Sequence, residues 1–187
     1  MDYGNTHREL IDRCLAHDRQ AQFEFYQLYS RAMYNVCLRI VHKSEVAEDL
    51  LQNSFVDFFS KLHTFKGNSS VGAWLKRICV NNCISYLKKR RVQLVEMEER
   101  HTGVADENFN ESTDCGGLNV AAVKAAMQQL SDGYRTIFSL YALEGYDHQE
   151  IAQILDITES TSKSQYSRAK ARLRQILGSY SEEILYG

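Results

Sequence analysis

The segment from Val92 to Gly117 constrains this fold more than any other part of the chain. Glu96, Glu98, Glu99, Asp106, Glu107, Glu111 and Asp114 fall there among Gly, Asn, Ser and Thr, and the segment ends at Gly116 and Gly117. Such a composition buries too little apolar surface to offset the entropy of ordering it. It is expected to be a flexible acidic linker, so the 187 residues must make two small cores, one within residues 1–91 and one within 118–187. Helical spacing dominates on both sides, and with no proline in the chain glycines and capping residues are the main punctuation. The expected fold class is all-α: two small helical domains joined by a tether.

In the first domain, Thr6 and Glu9 fit a capping box ahead of Leu10, Ile11, Cys14 and Leu15, predicting a short first helix. A second helix of about six turns should follow from Asp18, with Phe23, Tyr26, Tyr29, Met33, Cys37 and Ile40 on its buried stripe. Ser44 is expected to cap a third helix that turns Val46, Leu50, Leu51, Phe55, Phe58 and Leu62 inward. Glu45, Glu48, Asp49 and Gln52 then face outward, where the acidic groups suit the helix N-terminus. Thr64 to Ser70 has the composition of a turn. A fourth helix is expected from near Ser70 to about Arg91, burying Trp74, Leu75, Ile78, Ile84 and Leu87. Its surface is positive: Lys76, Arg77, Lys88, Lys89, Arg90 and Arg91 lie in a stretch with no acidic residue between Ser69 and Val95.

In the second domain, Val120, Val123, Met127 and Leu130 form an apolar stripe, and a further helix spans Tyr134 to Leu143. The segment from Gly145 to Leu173 (GYDHQEIAQILDITESTSKSQYSRAKARL) reads as a helix-turn-helix. His148 to Leu155 supplies the first helix, with Ile151, Ala152 and Leu155 inward. Asp156, Ile157 and Thr158 make the turn, Asp156 at a position that often requires positive φ. The second helix starts near Glu159, buries Thr161, Ala169 and Leu173, and exposes Lys163, Ser164, Ser167, Arg168 and Lys170. Lys and Arg reach guanine edges or phosphates, and Ser donates to either.

The net charge of −2 carries less weight than this segregation of basic residues, because local sign sets nucleic-acid affinity. A basic amphipathic helix can also be a solvated face of an ordinary bundle; its placement directly after a compact helix and turn favours DNA. Phe65 and Trp74 flank a polar loop beside the other basic helix. Single-strand binding combines positive grooves with aromatic faces for unstacked bases, although both rings could equally be core. Cys14, Cys37, Cys79, Cys83 and Cys115 show no repeated CxxC pair, so reduced thiols are expected rather than a disulfide framework or a zinc site. No run is apolar enough to span a bilayer and the N-terminus lacks a secretory pattern, so a cytoplasmic protein without membrane insertion is expected. There is no Walker loop, dinucleotide fingerprint or HExxH, which disfavours an enzyme and implies no cofactor.

Three segments together resemble the sigma-70 superfamily, specifically the extracytoplasmic function (ECF) group of bacterial RNA polymerase sigma factors. Ala47 to Phe59 (AEDLLQNSFVDFF) and Ala73 to Leu87 (AWLKRICVNNCISYL) look like parts of its region 2. Gly133 to Tyr141 (GYRTIFSLY), leading into the helix-turn-helix, looks like region 4. The resemblance implies a factor that binds core RNA polymerase through Asp49 and Gln52. It implies contact with the minus-ten element through Phe65, Lys66, Asn68, Trp74, Asn81, Ser85 and Lys88, with the loop from Phe65 to Ser70 accepting a flipped base. Lys163, Ser164, Ser167, Arg168 and Lys170 would read the minus-thirty-five element of promoter DNA. The acidic tether would run through the polymerase's RNA channel, and an anti-sigma factor would cover the exposed surfaces.

The chain departs from the family pattern in three places: Ser85 stands for a usual aspartate, Ser131 for a proline before region 4, and Asp156 for a glycine in the turn. Ser85 bears on which minus-ten sequence is read, and Asp156 on the aim of the recognition helix. A stand-alone regulator remains the rival, and would bind a specific duplex tightly without polymerase. A free sigma factor making about four phosphate contacts would instead show a log–log salt slope near about −3.6, losing affinity quickly as salt rises.

Overall fold

The computed structural model describes residues 7–98 and 120–186, with side chains resolved within 7–90 and 122–178. Every regular element among them is helical, and the chain divides into two compact units between Gln93 and Leu94. Thr6, Cys115 and residues 99–119, which hold most of the expected tether, lie outside the described residues.

The first unit contains α1 (Arg8–Leu15), α2 (Arg19–Val41), α3 (Ser44–Lys61), a single 3-10 turn (Leu62–Thr64) and all but the last turn of α4 (Val71–Glu98). Asp18 caps α2: its carboxylate accepts from the amides of Gln20 at 2.9 Å and Ala21 at 3.2 Å. The expected cap at Thr6 falls outside the described residues; His7 stands directly before α1 with no side-chain cap bond. The expected cap of α3 is corrected. Ser44 is the first residue of α3 rather than its cap; Lys43 holds the extended cap position, again without a side-chain bond. Ser70 does cap α4, accepting from the Ala73 amide at 3.2 Å. That helix runs seven residues past Arg91, to Glu98, so Glu96 and Glu98 are helical where tether was expected.

The core of this unit is aromatic, and its phase on α2 differs from the expected one. Phe23 is 54% exposed while Phe25 is wholly buried, stacked on Phe58 of α3 with ring centroids 4.6 Å apart. Both rings fit a three-to-four spacing with the positions downstream; cross-helix packing selects Phe25. The stack continues from Phe58 to Trp74 at 5.2 Å and from Trp74 to Phe65 at 5.2 Å. Each such contact adds about 0.5–1.5 kcal/mol beyond area burial. On α4, buried Leu75, Cys79, Val80, Cys83 and Ile84 complete the core, and Gly72 sits where a Cβ would lie 2.8 Å from Cε1 of Tyr29.

The second unit contains α5 (Val120–Gln128), α6 (Asp132–Phe138) continued by a π-helical turn (Ser139–Leu143), α7 (His148–Leu155) and α8 (Glu159–Tyr186). Ala126, Met127 and Leu130 pack against Leu173, Ile176 and Leu177, joining the end of α5 to the C-terminal half of α8. A full capping box opens α7: Asp147 accepts from the Glu150 amide at 2.7 Å, and Glu150 accepts from the Asp147 amide at 3.0 Å. Asp156 ends α7 at φ 61, the left-handed conformation expected from its place in the turn.

Candidate nucleic-acid interface

The outward face of α3 carries Asp49 and Gln52, both exposed, with Glu45 and Glu48 beside them. Buried Leu50, Leu51, Phe55 and Phe58 on the opposite side fix that orientation. Gln52 also lines a shallow recess of about 450 Å³ with Tyr26, Tyr34, Glu48 and Leu51.

On α4, Arg77, Asn81, Ser85 and Lys88 are all exposed. Their spacing of four, four and three residues puts them on one stripe of the helix surface. Asn82, which the sequence did not single out, sets the rotation of this stripe. Its Nδ2 donates to Ser54 Oγ at 3.1 Å and to Asp57 Oδ2 at 3.0 Å, both on α3. Asp57 also pairs with Lys61 at 3.4 Å. The adjacent pair of asparagines was the signal available in the sequence, since residues 100° apart on a helix cannot share one face.

Lys66 and Asn68 are exposed in the loop before α4, where Gly67 takes φ +72, a conformation that favours glycine. Phe65 and Trp74 are half-buried and stack on each other. Both rings are thus partly core, and they extend the core stack to the base of the polar loop.

The helix-turn-helix presents α8. Thr158 Oγ1 accepts from the Thr161 amide at 3.1 Å, satisfying one free donor at the helix start. Lys163, Ser164, Ser167 and Arg168 are exposed as expected. Lys163 is held by Glu159 at 2.6 Å; this bond, chiefly, raises the ammonium above its ordinary value. Lys170 differs from its expected exposure: it is half-buried, with its ammonium 5.0 Å from the centre of the Tyr166 ring. Thr161 is only half-buried, and the wholly buried position belongs to Ser162. Sequence reasoning missed Ser162 because a small hydroxyl gives no periodic hydrophobic signal.

Among the described residues no three His, Cys, Asp or Glu side chains are placed to hold a metal ion, and no helix is long and apolar enough to cross a membrane.

The family pattern described as Sigma-70 region 2 matches residues 25–92, and that described as Sigma-70, region 4 matches residues 121–173. The chain is 28% identical over 182 residues to the ECF RNA polymerase sigma factor SigM of Mycobacterium tuberculosis (strain ATCC 25618 / H37Rv), covering 95% of this chain and 90% of that protein. It is 29% identical over 153 residues to SigM of Bacillus subtilis (strain 168), covering 82% and 93%. Among solved structures it resembles the sigma factor RpoE of Bartonella quintana, crystallised with the anti-sigma factor NepR. The TM-score is 0.57 at 25% identity, covering 83% of this chain and 95% of that one. CnrH, solved with the cytosolic domain of CnrY, shares the fold at TM-score 0.55 and 20% identity, covering 92% and 97%. The chain belongs to the sigma-70 superfamily, in its extracytoplasmic function group: it is an RNA polymerase sigma factor that directs transcription initiation at promoters.

Proposed function

We propose that α3 docks on core RNA polymerase through Asp49 and Gln52, while α4 and the loop before it read the minus-ten element and α8 reads the minus-thirty-five element. The observation that carries this reading is the exposed stripe of Arg77, Asn81, Ser85 and Lys88 on α4. It is braced by Asn82 against the same helix that presents Asp49 and Gln52. One rigid unit thereby offers an acidic and polar face to a protein and a basic and polar face to DNA. Phe65 and Trp74 give the loop an apolar floor beside Lys66 and Asn68, suited to an unstacked base. On α8, Lys163, Ser164, Ser167, Arg168 and Lys170 supply contacts to base edges and phosphates.

These roles require binding and strand opening rather than bond chemistry, so the chain acts as a non-enzymatic initiation factor in the cytoplasm. An anti-sigma partner that covers the α3 face and the DNA-reading faces is part of this reading. It is supported by the complex in which the related RpoE was solved.

The test is binding of the purified chain to bacterial core RNA polymerase, beside an Asp49→Ala, Gln52→Ala double variant. Tight binding that the double variant loses, with unchanged helix content, is the expected result. Equal binding by both would remove α3 as the docking face.

A further inference from the structure

His148 opens α7, directly after the Asp147 cap, and meets two other elements. Its Nδ1 lies 3.0 Å from Oγ of Ser162, a residue of α8 with no exposed surface. Its ring stacks on Tyr141 of the π-helical turn at 4.4 Å and 20°, and meets Tyr166 of α8 edge-on at 5.7 Å. Tyr166 in turn packs against Tyr141 at 4.4 Å.

These contacts constrain α8 differently. Ring contacts tolerate sliding and tilting, because their attraction varies slowly with orientation over several ångströms. A hydrogen bond at 3.0 Å does not. Turning α8 by about 20° about its axis would move a serine Oγ by roughly 1 Å and break the bond. The same turn would sweep exposed side-chain tips, at a radius of about 5–6 Å, through about 2 Å. That is enough to misplace a base contact, which requires its geometry to be held within about 0.5 Å.

We propose that His148, through its hydrogen bond to Ser162, is the positioning residue that fixes the rotation of α8 and so the register in which Lys163, Ser164, Ser167 and Arg168 meet the bases. The proposal rests on α8 being the reader of the minus-thirty-five element. The aromatic contacts hold the unit together; the polar contact aims it.

The experiment uses the full chain with core polymerase and a duplex library randomised at the minus-thirty-five positions, comparing selected sequences with thermal melts. His148→Phe with Ser162→Ala keeps a ring and removes both polar partners. This variant should melt near the wild-type temperature, select different sequences, and bind the wild-type sequence roughly tenfold more weakly, about the worth of one good base contact. His148→Asn removes the ring but keeps a polar atom two bonds from Cβ, where histidine carries Nδ1. It should melt lower and still select the wild-type sequence. Wild-type selection and affinity in the first variant would overturn the proposal, as would a selection that simply follows melting temperature across both. A variant with Lys163, Ser164, Ser167 and Arg168 all changed to Ala is the control: if it leaves the selection unchanged, α8 is not the reader and the proposal falls with that assignment. If it alters the selection while the first variant does not, only the role of His148 is lost.

Discussion

Replacing Arg135 with Met should destabilise the second unit by about 3 kcal/mol while leaving the first unit untouched. The last carbonyls of α5 have no partner within their own helix. Two are satisfied locally, by the Gln129 amide to Ala126 at 3.1 Å and the Leu130 amide to Met127 at 3.3 Å. The Arg135 guanidinium, whose side chain is 8% exposed, serves the carbonyl of Gln128, the last residue of α5, and that of Leu130 just beyond it. Nη1 donates to the Leu130 carbonyl at 2.8 Å and to that of Gln128 at 3.5 Å, while Nη2 pairs with the Asp132 carboxylate. A charged donor to a buried carbonyl contributes about 1.5–3 kcal/mol, and the pair with half-exposed Asp132 adds about 0–1 kcal/mol. Met keeps most of the apolar stem, so little packing is lost with them. At roughly 4–8 °C per kcal/mol for a domain of this size, the midpoint of the second unit should fall by about 12–24 °C. The only tryptophan, Trp74, lies in the first unit. Its fluorescence transition should stay fixed while the far-ultraviolet dichroism acquires an earlier step. A dichroism melt that superimposes on wild type would refute the accounting, as would a shift of the tryptophan transition.

Gly72→Ala places a methyl 2.8 Å from Tyr29 Cε1 and should cost about 1–3 kcal/mol by overpacking. The cost should vanish in a Tyr29→Ala background, and additive losses in a urea-unfolding cycle would contradict it. Asp18 is held below its ordinary value of 3.8 by the Arg13 hydrogen bond and by the amides of Ala21 and Gln20. Its contribution to stability is therefore complete above pH 3.8 and lost as pH falls through the lower folded value. An acid titration of helix content should show Asp18→Asn with a flatter limb below pH 3.8, and an unchanged limb would remove the contribution. Burial pushes the Cys14 thiol up to about 11, while the hydrogen bond to Cys37 and then burial raise Cys79. Both should resist iodoacetamide at pH 8 in the folded chain and react after denaturation, as read by peptide mass mapping. Rapid labelling of either in the folded chain would refute this.

Helical class and the division into two units were legible because both rest on signals spread over many residues: three-to-four spacing on each side and a composition break between them. The left-handed Asp156 was legible for a local reason, since few residue types tolerate that conformation. Phase and partner choice were less so. Phe23 and Phe25 both suit the stripe of α2, and the rings of Phe55, Phe58 and Phe59 on another helix decide between them. Asn82, Arg135 and Ser162 act through hydrogen bonds to groups up to 28 residues away, and such bonds leave no periodic trace. The exposure of Lys163, Ser164, Ser167 and Arg168 was legible because an outward helix face shows itself by what it lacks, a buried apolar stripe. The half-burial of Lys170 depends on a ring one turn earlier that could have faced either way.

The most direct test is run-off transcription by this chain with core polymerase from a promoter selected by that holoenzyme, with each promoter element scrambled in turn. If α4 and α8 read separate elements, Asn81→Ala should abolish the response to scrambling the minus-ten element and Arg168→Ala the response to scrambling the minus-thirty-five element. Each variant should keep its sensitivity to the other element. Two variants that lose the same response, or a chain that confers no promoter-specific initiation on core polymerase, would contradict the account.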